Sequence, residues 1–173
     1  MSLIADPKDV LRDPPSARFV LISLVVAFLI YLLPANGSLI FLRPELPLIV
    51  LMFWCIHSPR YGGFLAGFII GLLVDVADGN ALGQHALAYT LAIFLTLVLR
   101  LRILKFKLWQ QALHVLAILL AGQILMTITH LFLPTTFPGW GIFLASVVGA
   151  MLWPVISFAL EYPQILAANA KND

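Results

Sequence analysis

Six apolar segments fill most of this chain, at residues 17–33, 46–56, 61–77, 82–99, 108–133 and 140–160. A helix that crosses the hydrocarbon of a bilayer needs about 20 predominantly apolar residues, with a range of about 17–25. All but the second segment reach that length. Helix breakers stand between them: Pro34 with Asn36-Gly37, Ser58-Pro59, Asp78-Gly79-Asn80, a basic stretch, and Pro134 through Pro138-Gly139. Charged residues make up 10% of the 173, against about 25% in soluble domains. The expectation is an all-α integral membrane protein with six transmembrane helices in a compact bundle. Short cytoplasmic segments, residues 1–16 and 161–173, flank the membrane domain at 17–160, leaving no room for a soluble catalytic module. No small-residue cleavage site follows the first run, which is expected to stay as an anchor. Cys55 is the one cysteine, so an internal disulfide is excluded.

The second segment is too short by itself, and extending it backward takes in Arg43 and Glu45. The distribution of Lys and Arg decides the matter. With six spans, Lys8, Arg12, Arg18, Arg60, Arg100, Arg102, Lys105, Lys107 and Lys171 share one side, and Arg43 alone faces the other. If the second segment did not span, the cluster at 100–107 would face outward, against the positive-inside rule. Six spans with both termini in the cytoplasm follow. Arg43 is then expected at the outer end, either as a snorkelling anchor or in contact with Glu45 or an extracytoplasmic partner. Pro44 is assigned to the first turn of the second helix, where a missing N–H is harmless. Pro154 is expected to kink the last helix near Trp153.

Sequence signatures of catalysis are missing: there is no His-Glu-x-x-His, Gly-x-Ser-x-Gly, phosphate-binding glycine loop or Cys/His cluster. His57, His85, His114 and His130 fall in different segments without ligand spacing and read as interfacial side chains. No metal or cofactor is expected. The stretch RLRILKFK (residues 100–107) reads as a cytoplasmic loop touching anionic headgroups, and nucleic-acid binding does not suit a loop pressed against a bilayer. In the fifth segment Gln123, Thr127 and His130 form a polar stripe. Such a stripe serves interhelical hydrogen bonding, or else lines a ligand cavity.

The third segment carries Gly63, Gly67, Gly71 and Asp75 at steps of four, one slowly winding ridge on a helix. A ridge without side chains lets another backbone approach, which is a main source of helix association in lipid. The ridge is a packing surface, filled either from within the bundle or by a partner's helix. The Asp75–Asn80 stretch lacks the ligand alternation of a calcium loop, and Asp78-Gly79-Asn80 is a turn. The sixth segment has a second small-residue face, with Gly141, Ala145 and Gly149, and with Ser146 and Ala150 beside it.

These residues resemble the family of the rod shape-determining protein MreD. The likeness rests on Phe41-x-Arg43-Pro44, on GFIIGLLVDVADGNALG at Gly67–Gly83, on LWQQAL at Leu108–Leu113 and on LWP at Leu152–Pro154, in that order over residues 16–162. The extension Met1–Asp13 lies outside it. The resemblance implies a bacterial inner-membrane protein of the cell-elongation machinery that partners MreC and acts alongside MreB, RodA and the elongation-specific penicillin-binding protein. It implies no enzymatic activity, and a six-helix fold similar to the substrate-binding component of energy-coupling-factor vitamin transporters.

Two functions are therefore expected to compete. One is a non-enzymatic membrane scaffold whose partner-binding residues are Gly63, Gly67, Gly71, Asp75 and Arg43, supporting rod shape and lateral peptidoglycan synthesis. The other is a vitamin-like small-molecule binding or transport subunit with a polar pocket at Gln123, Thr127, His130 and Asp75, which shared fold supports only weakly.

Overall fold

The structure, a computed structural model, describes residues 15–34, 42–79, 81–131 and 139–169. Met1–Asp13, Asn36-Gly37, Phe41, Asn80, Pro134, Pro138 and Lys171, all invoked above, lie outside the described residues. Six α-helices make up the fold: α1 (Ala17–Tyr31), α2 (Leu46–His57), α3 (Phe64–Asp78), α4 (Gln84–Ile103), α5 (Leu108–Leu131) and α6 (Phe143–Asn169). A 3-10 turn at Trp140–Ile142 leads into α6, and there is no strand among the described residues. Three stretches, Gln84–Ile103, Leu108–His130 and Trp140–Ile165, are long and apolar enough to cross a membrane; Ala17–Tyr31 and Leu46–His57 are shorter apolar helices.

Local chemistry sets the helix ends. Ser16 caps α1 by accepting from the Phe19 amide at 3.2 Å. The first turn of α2 holds Pro47, so Pro44 stands ahead of the helix and not inside it. Gly79 ends α3 in the left-handed conformation, φ +66°, which a residue without Cβ adopts freely. α6 begins at Phe143 and continues through both Pro154 and Pro163 to Asn169. Residues 161–169, placed in the C-terminal segment by the sequence, continue the last helix.

α2 is the centre. Every residue from Pro47 to Ile56 is buried, although the helix has only 12 residues, a length of about 18 Å. It packs against α1, α3, α4 and α6, while α3, α4, α5 and α6 pack on one another in chain order around it. Trp54 and Trp153 are completely enclosed, and Phe53 stacks edge-on against Trp54 at 5.1 Å. Each surrounding helix buries one stripe and turns an apolar face outward: Leu21, Ile22, Val25 and Leu29 on α1, Leu65, Phe68, Ile69 and Leu73 on α3, and Met151, Val155 and Phe158 on α6. An apolar surface of this extent on a helical bundle is a surface for lipid.

The helices alternate in direction. The C-terminal ends of α1 and α3 meet the N-terminal ends of α2 and α4 through Tyr31, Asp78, Glu45 and His85. At the opposite end His57 of α2 reaches Glu161 of α6 at 3.2 Å, and Arg100 of α4 donates to the Ile56 carbonyl at 2.6 Å.

Candidate functional site

The glycine ridge of α3 faces α4. A Cβ placed on Gly71 would lie 2.5 Å from the Ala86 Cα and 2.6 Å from its nitrogen, and one on Gly67 would meet Ile93 Cγ1 at 3.0 Å and the Tyr89 carbonyl oxygen at 3.4 Å. Only Gly63, at the start of the helix, has open space where a side chain would go. The track left open in the sequence between an internal helix and a partner's is thus occupied at Gly67 and Gly71 by the chain's own α4. The second small-residue face is filled too: a Cβ on Gly149 would come within 2.9 Å of Ile49 Cδ1 on α2 and 3.0 Å of Leu119 Cδ1 on α5.

One step further along the ridge, the close approach brings Asp75 to the start of α4. The first amides of a helix have no intrahelical acceptor, and the residue at the cap position of α4 is Gly83, which has no side chain to offer. Asp75 supplies the missing acceptor from the neighbouring helix. Its carboxylate accepts from the amides of Gly83 and His85 at 2.8 Å each and of Ala86 at 3.4 Å. These are the amides that a side-chain cap would take, and the positive end of the helix dipole favours the carboxylate. Asp75 Oδ1 also lies 2.8 Å from His85 Nδ1, and both side chains are buried. Asp75, read from the sequence as a partner-binding residue, lies inside the bundle as the acceptor for the start of α4. His85, expected at the lipid–water interface, is instead the enclosed partner of Asp75.

Around this pair the helix ends gather a network. His85 Nε2 lies 3.9 Å from Glu45 and 4.0 Å from Asp78. Tyr89 donates its hydroxyl to Glu45, and Tyr31 donates to Asp78 at 2.5 Å. Arg43 lies over the Tyr31 ring at 3.7 Å, donates to the Tyr31 carbonyl, and reaches Asp78 at 3.4 Å. The hydrogen bonds of Arg43 go to Tyr31 and Asp78. Arg43 clamps the end of α1 to the end of α3. Burial pushes the Glu45 carboxyl, just ahead of α2, above the ordinary carboxylate range, against the opposing pull of His85 and the Tyr89 hydrogen bond. Three acidic side chains, one guanidinium and one imidazole thus meet through hydrogen bonds and ion-pair contacts at the joined ends of α1, α2, α3 and α4. No group of three or more His, Cys, Asp or Glu among the described residues is placed to hold a metal ion.

The proposed polar pocket does not assemble as a unit. Gln123 accepts from Ser146 of α6, joining α5 to α6. Thr127 donates to the Gln123 carbonyl of its own helix at 2.8 Å. A cleft lined by Glu45, Tyr89, Gln123 and Ser146 among apolar neighbours does open here, without Asp75, Thr127 or His130. Its volume is about 10 Å³, room for a single water, whereas pockets for vitamin-sized ligands measure about 300–1,000 Å³.

Sequence reasoning singled out Arg43 and Asp75 but missed Tyr31, Asp78, His85, Tyr89 and the inward side of Glu45. One signal was available: a helix start at Gly83 without a capping side chain, eight residues beyond a carboxylate on a glycine ridge, needs an acceptor from elsewhere. Tyr31 and Tyr89 gave no such signal, because their partners are more than 40 residues away in the chain.

Comparison with known proteins agrees with the sequence motifs. The family model for rod shape-determining protein MreD matches residues 16–162. A rod shape-determining protein from Haemophilus influenzae, MreD, is 28% identical over 130 residues, covering 75% of this chain and 80% of the relative. No solved structure matches the chain.

Proposed function

We propose a function from one premise: this chain belongs to the rod shape-determining protein MreD family. A membrane protein of that family takes part in determining rod shape. The finer reading is a non-enzymatic scaffold of the bacterial inner membrane with six spans and both termini in the cytoplasm. It binds MreC and supports lateral peptidoglycan synthesis in one complex with MreB, RodA and the elongation-specific penicillin-binding protein.

The observation that carries the scaffold reading is the polar lock. Its residues tie the ends of four helices together with hydrogen bonds and ion pairs, and the groups it gathers are consumed by one another. Such an arrangement suits holding a shape. The charge distribution supports the topology: among the described residues Arg18, Arg60, Arg100, Arg102, Lys105 and Lys107 lie at the end opposite the lock, and Arg43 lies within it. In this reading the lock faces outward, and α2 crosses despite its length because protein and not lipid surrounds it.

With Gly67 and Gly71 covered by α4, the face offered to the membrane helix of MreC moves to the outward surfaces of α1 and α3. These end together at the Tyr31–Asp78 bond and present Leu29, Ile69 and Leu73. Arg43 and Asp78, each about one-fifth exposed, stand beside that face where a periplasmic segment of a partner reaches. A photocrosslinking residue at Leu73 is expected to capture MreC, and one at Val155 on the far helix is not. Capture from 155 alone would place the partner elsewhere. Depletion of the chain in its rod-shaped host is expected to round the cells; intact rods with a defect in nutrient uptake would favour a transport subunit.

A further inference from the structure

The turn between α4 and α5 carries a feature that the scaffold reading does not use. Arg102, Lys105 and Lys107 are all exposed there, within six residues of one another, and no carboxylate among the described residues pairs with them. Glu45, Asp75 and Asp78 belong to the lock at the other end, and Glu161 is paired with His57. Arg100 is set apart, since its Nε is bonded to the Ile56 carbonyl. The first turn of α5 adds the positive end of a helix dipole to the same place. The Lys107 amide donates to Gln110 Oε1 at 3.2 Å, which fixes where that turn begins.

Apolar side chains border these cations. Trp109 is 62% exposed and Leu101 69%, with Leu108 also open. A soluble surface hides an indole of this kind, whereas the interfacial zone of a bilayer accommodates its ring at headgroup depth. Cations in the turn and an indole beside them match the two layers of one molecule, phosphate outside and glycerol with acyl chain beneath.

We propose that the α4–α5 turn is a binding site for anionic phospholipid, with Arg102, Lys105 and Lys107 holding the headgroup phosphate and Trp109 lying against the glycerol region. The site rests on the membrane reading of the bundle and not on any protein partner, and its test contains no partner.

The full chain carrying Trp140→Phe leaves Trp109 as the exposed tryptophan, because Trp54 and Trp153 are enclosed. Reconstituted in phosphatidylcholine vesicles, it is titrated with brominated phosphatidylglycerol or, separately, with brominated phosphatidylcholine. Trp109 fluorescence is expected to be quenched preferentially by the anionic lipid. Each of Arg102→Gln, Lys105→Gln and Lys107→Gln should weaken that preference about fivefold, while Lys105→Arg keeps it. High salt should reduce the preference in the unaltered turn without any substitution, and inorganic phosphate should reduce it no further than sodium chloride of the same ionic strength. Equal quenching by the two brominated lipids would overturn the proposal, as would a preference that survives removal of all three cations. Loss of the preference to inorganic phosphate beyond that caused by sodium chloride would show a site for the free anion and overturn the lipid assignment.

Discussion

Gly71 is where the bundle has least room, and a single methyl there tests the whole packing argument. A Cβ on residue 71 sits 2.5–2.7 Å from three backbone atoms of His85 and Ala86. Ordinary carbon contacts begin at about 3.5 Å, so α3 and α4 must part by about 1 Å, and backbone cannot swing aside as a side chain does. Asp75, one turn on, moves with α3. Its two 2.8 Å bonds to the Gly83 and His85 amides would lengthen to about 3.8 Å, past hydrogen-bonding range. Bonds to a charged acceptor are worth about 1.5–3 kcal/mol each, and overpacking alone costs about 1–3 kcal/mol. Allowing for partial relaxation, Gly71→Ala should destabilise the bundle by about 4 kcal/mol. For a domain of this size that is a fall of about 8–16 °C in Tm, read by circular dichroism in detergent. Gly67→Ala, which meets the end of the Ile93 side chain and a carbonyl oxygen at 3.4 Å, should cost about 1 kcal/mol, and Gly63→Ala almost nothing. A Gly71→Ala protein melting within a degree of the parent, or a Gly67→Ala protein melting below the Gly71→Ala protein, would refute the reasoning.

Other consequences are measurable with the same preparation. Asp75→Asn keeps the shape but removes the charge that faces His85 and the α4 amides, and should cost about 3 kcal/mol; Asp78→Asn, partly exposed, should cost less than about 1 kcal/mol. Tyr89→Phe should lose about 1 kcal/mol through the Glu45 bond, seen as a smaller shift in the same melts. Trp153→Phe should lose a similar amount, because its indole donates to Gln111 at 3.2 Å. Cys55 is fully enclosed by the bundle, so a maleimide should label it only on unfolding, and its labelling in denaturant should track the loss of ellipticity.

The helices were legible because lipid imposes a simple demand on length and polarity, and positions such as Pro34, Pro59 and Asp78-Gly79 break them where the structure does. Asp75 was legible as the polar end of the ridge because it lies four residues beyond Gly71, but its service as the cap of α4 was not. What filled that ridge was not legible: spacing shows that a backbone can approach Gly71, and says nothing of whose. The partners of Arg43 were hidden for a related reason. Glu45 is its near neighbour in the chain, but the guanidinium turns to Tyr31 and Asp78, which only the convergence of α1 and α3 brings within reach.

The length of α2 bears on how such a protein is made. About 18 Å of helix cannot by itself bridge about 30 Å of hydrocarbon, and under the proposed six-span topology Glu45 would face lipid if α2 arrived alone. Its tryptophan and its phenylalanine find their surroundings only once α1, α3, α4 and α6 stand around it. Under that topology, crossing the membrane and completing the tertiary structure become one event for this segment. Biogenesis should therefore depend on helices translated later, and a chain truncated before α6 should leave α2 uncommitted to the bilayer.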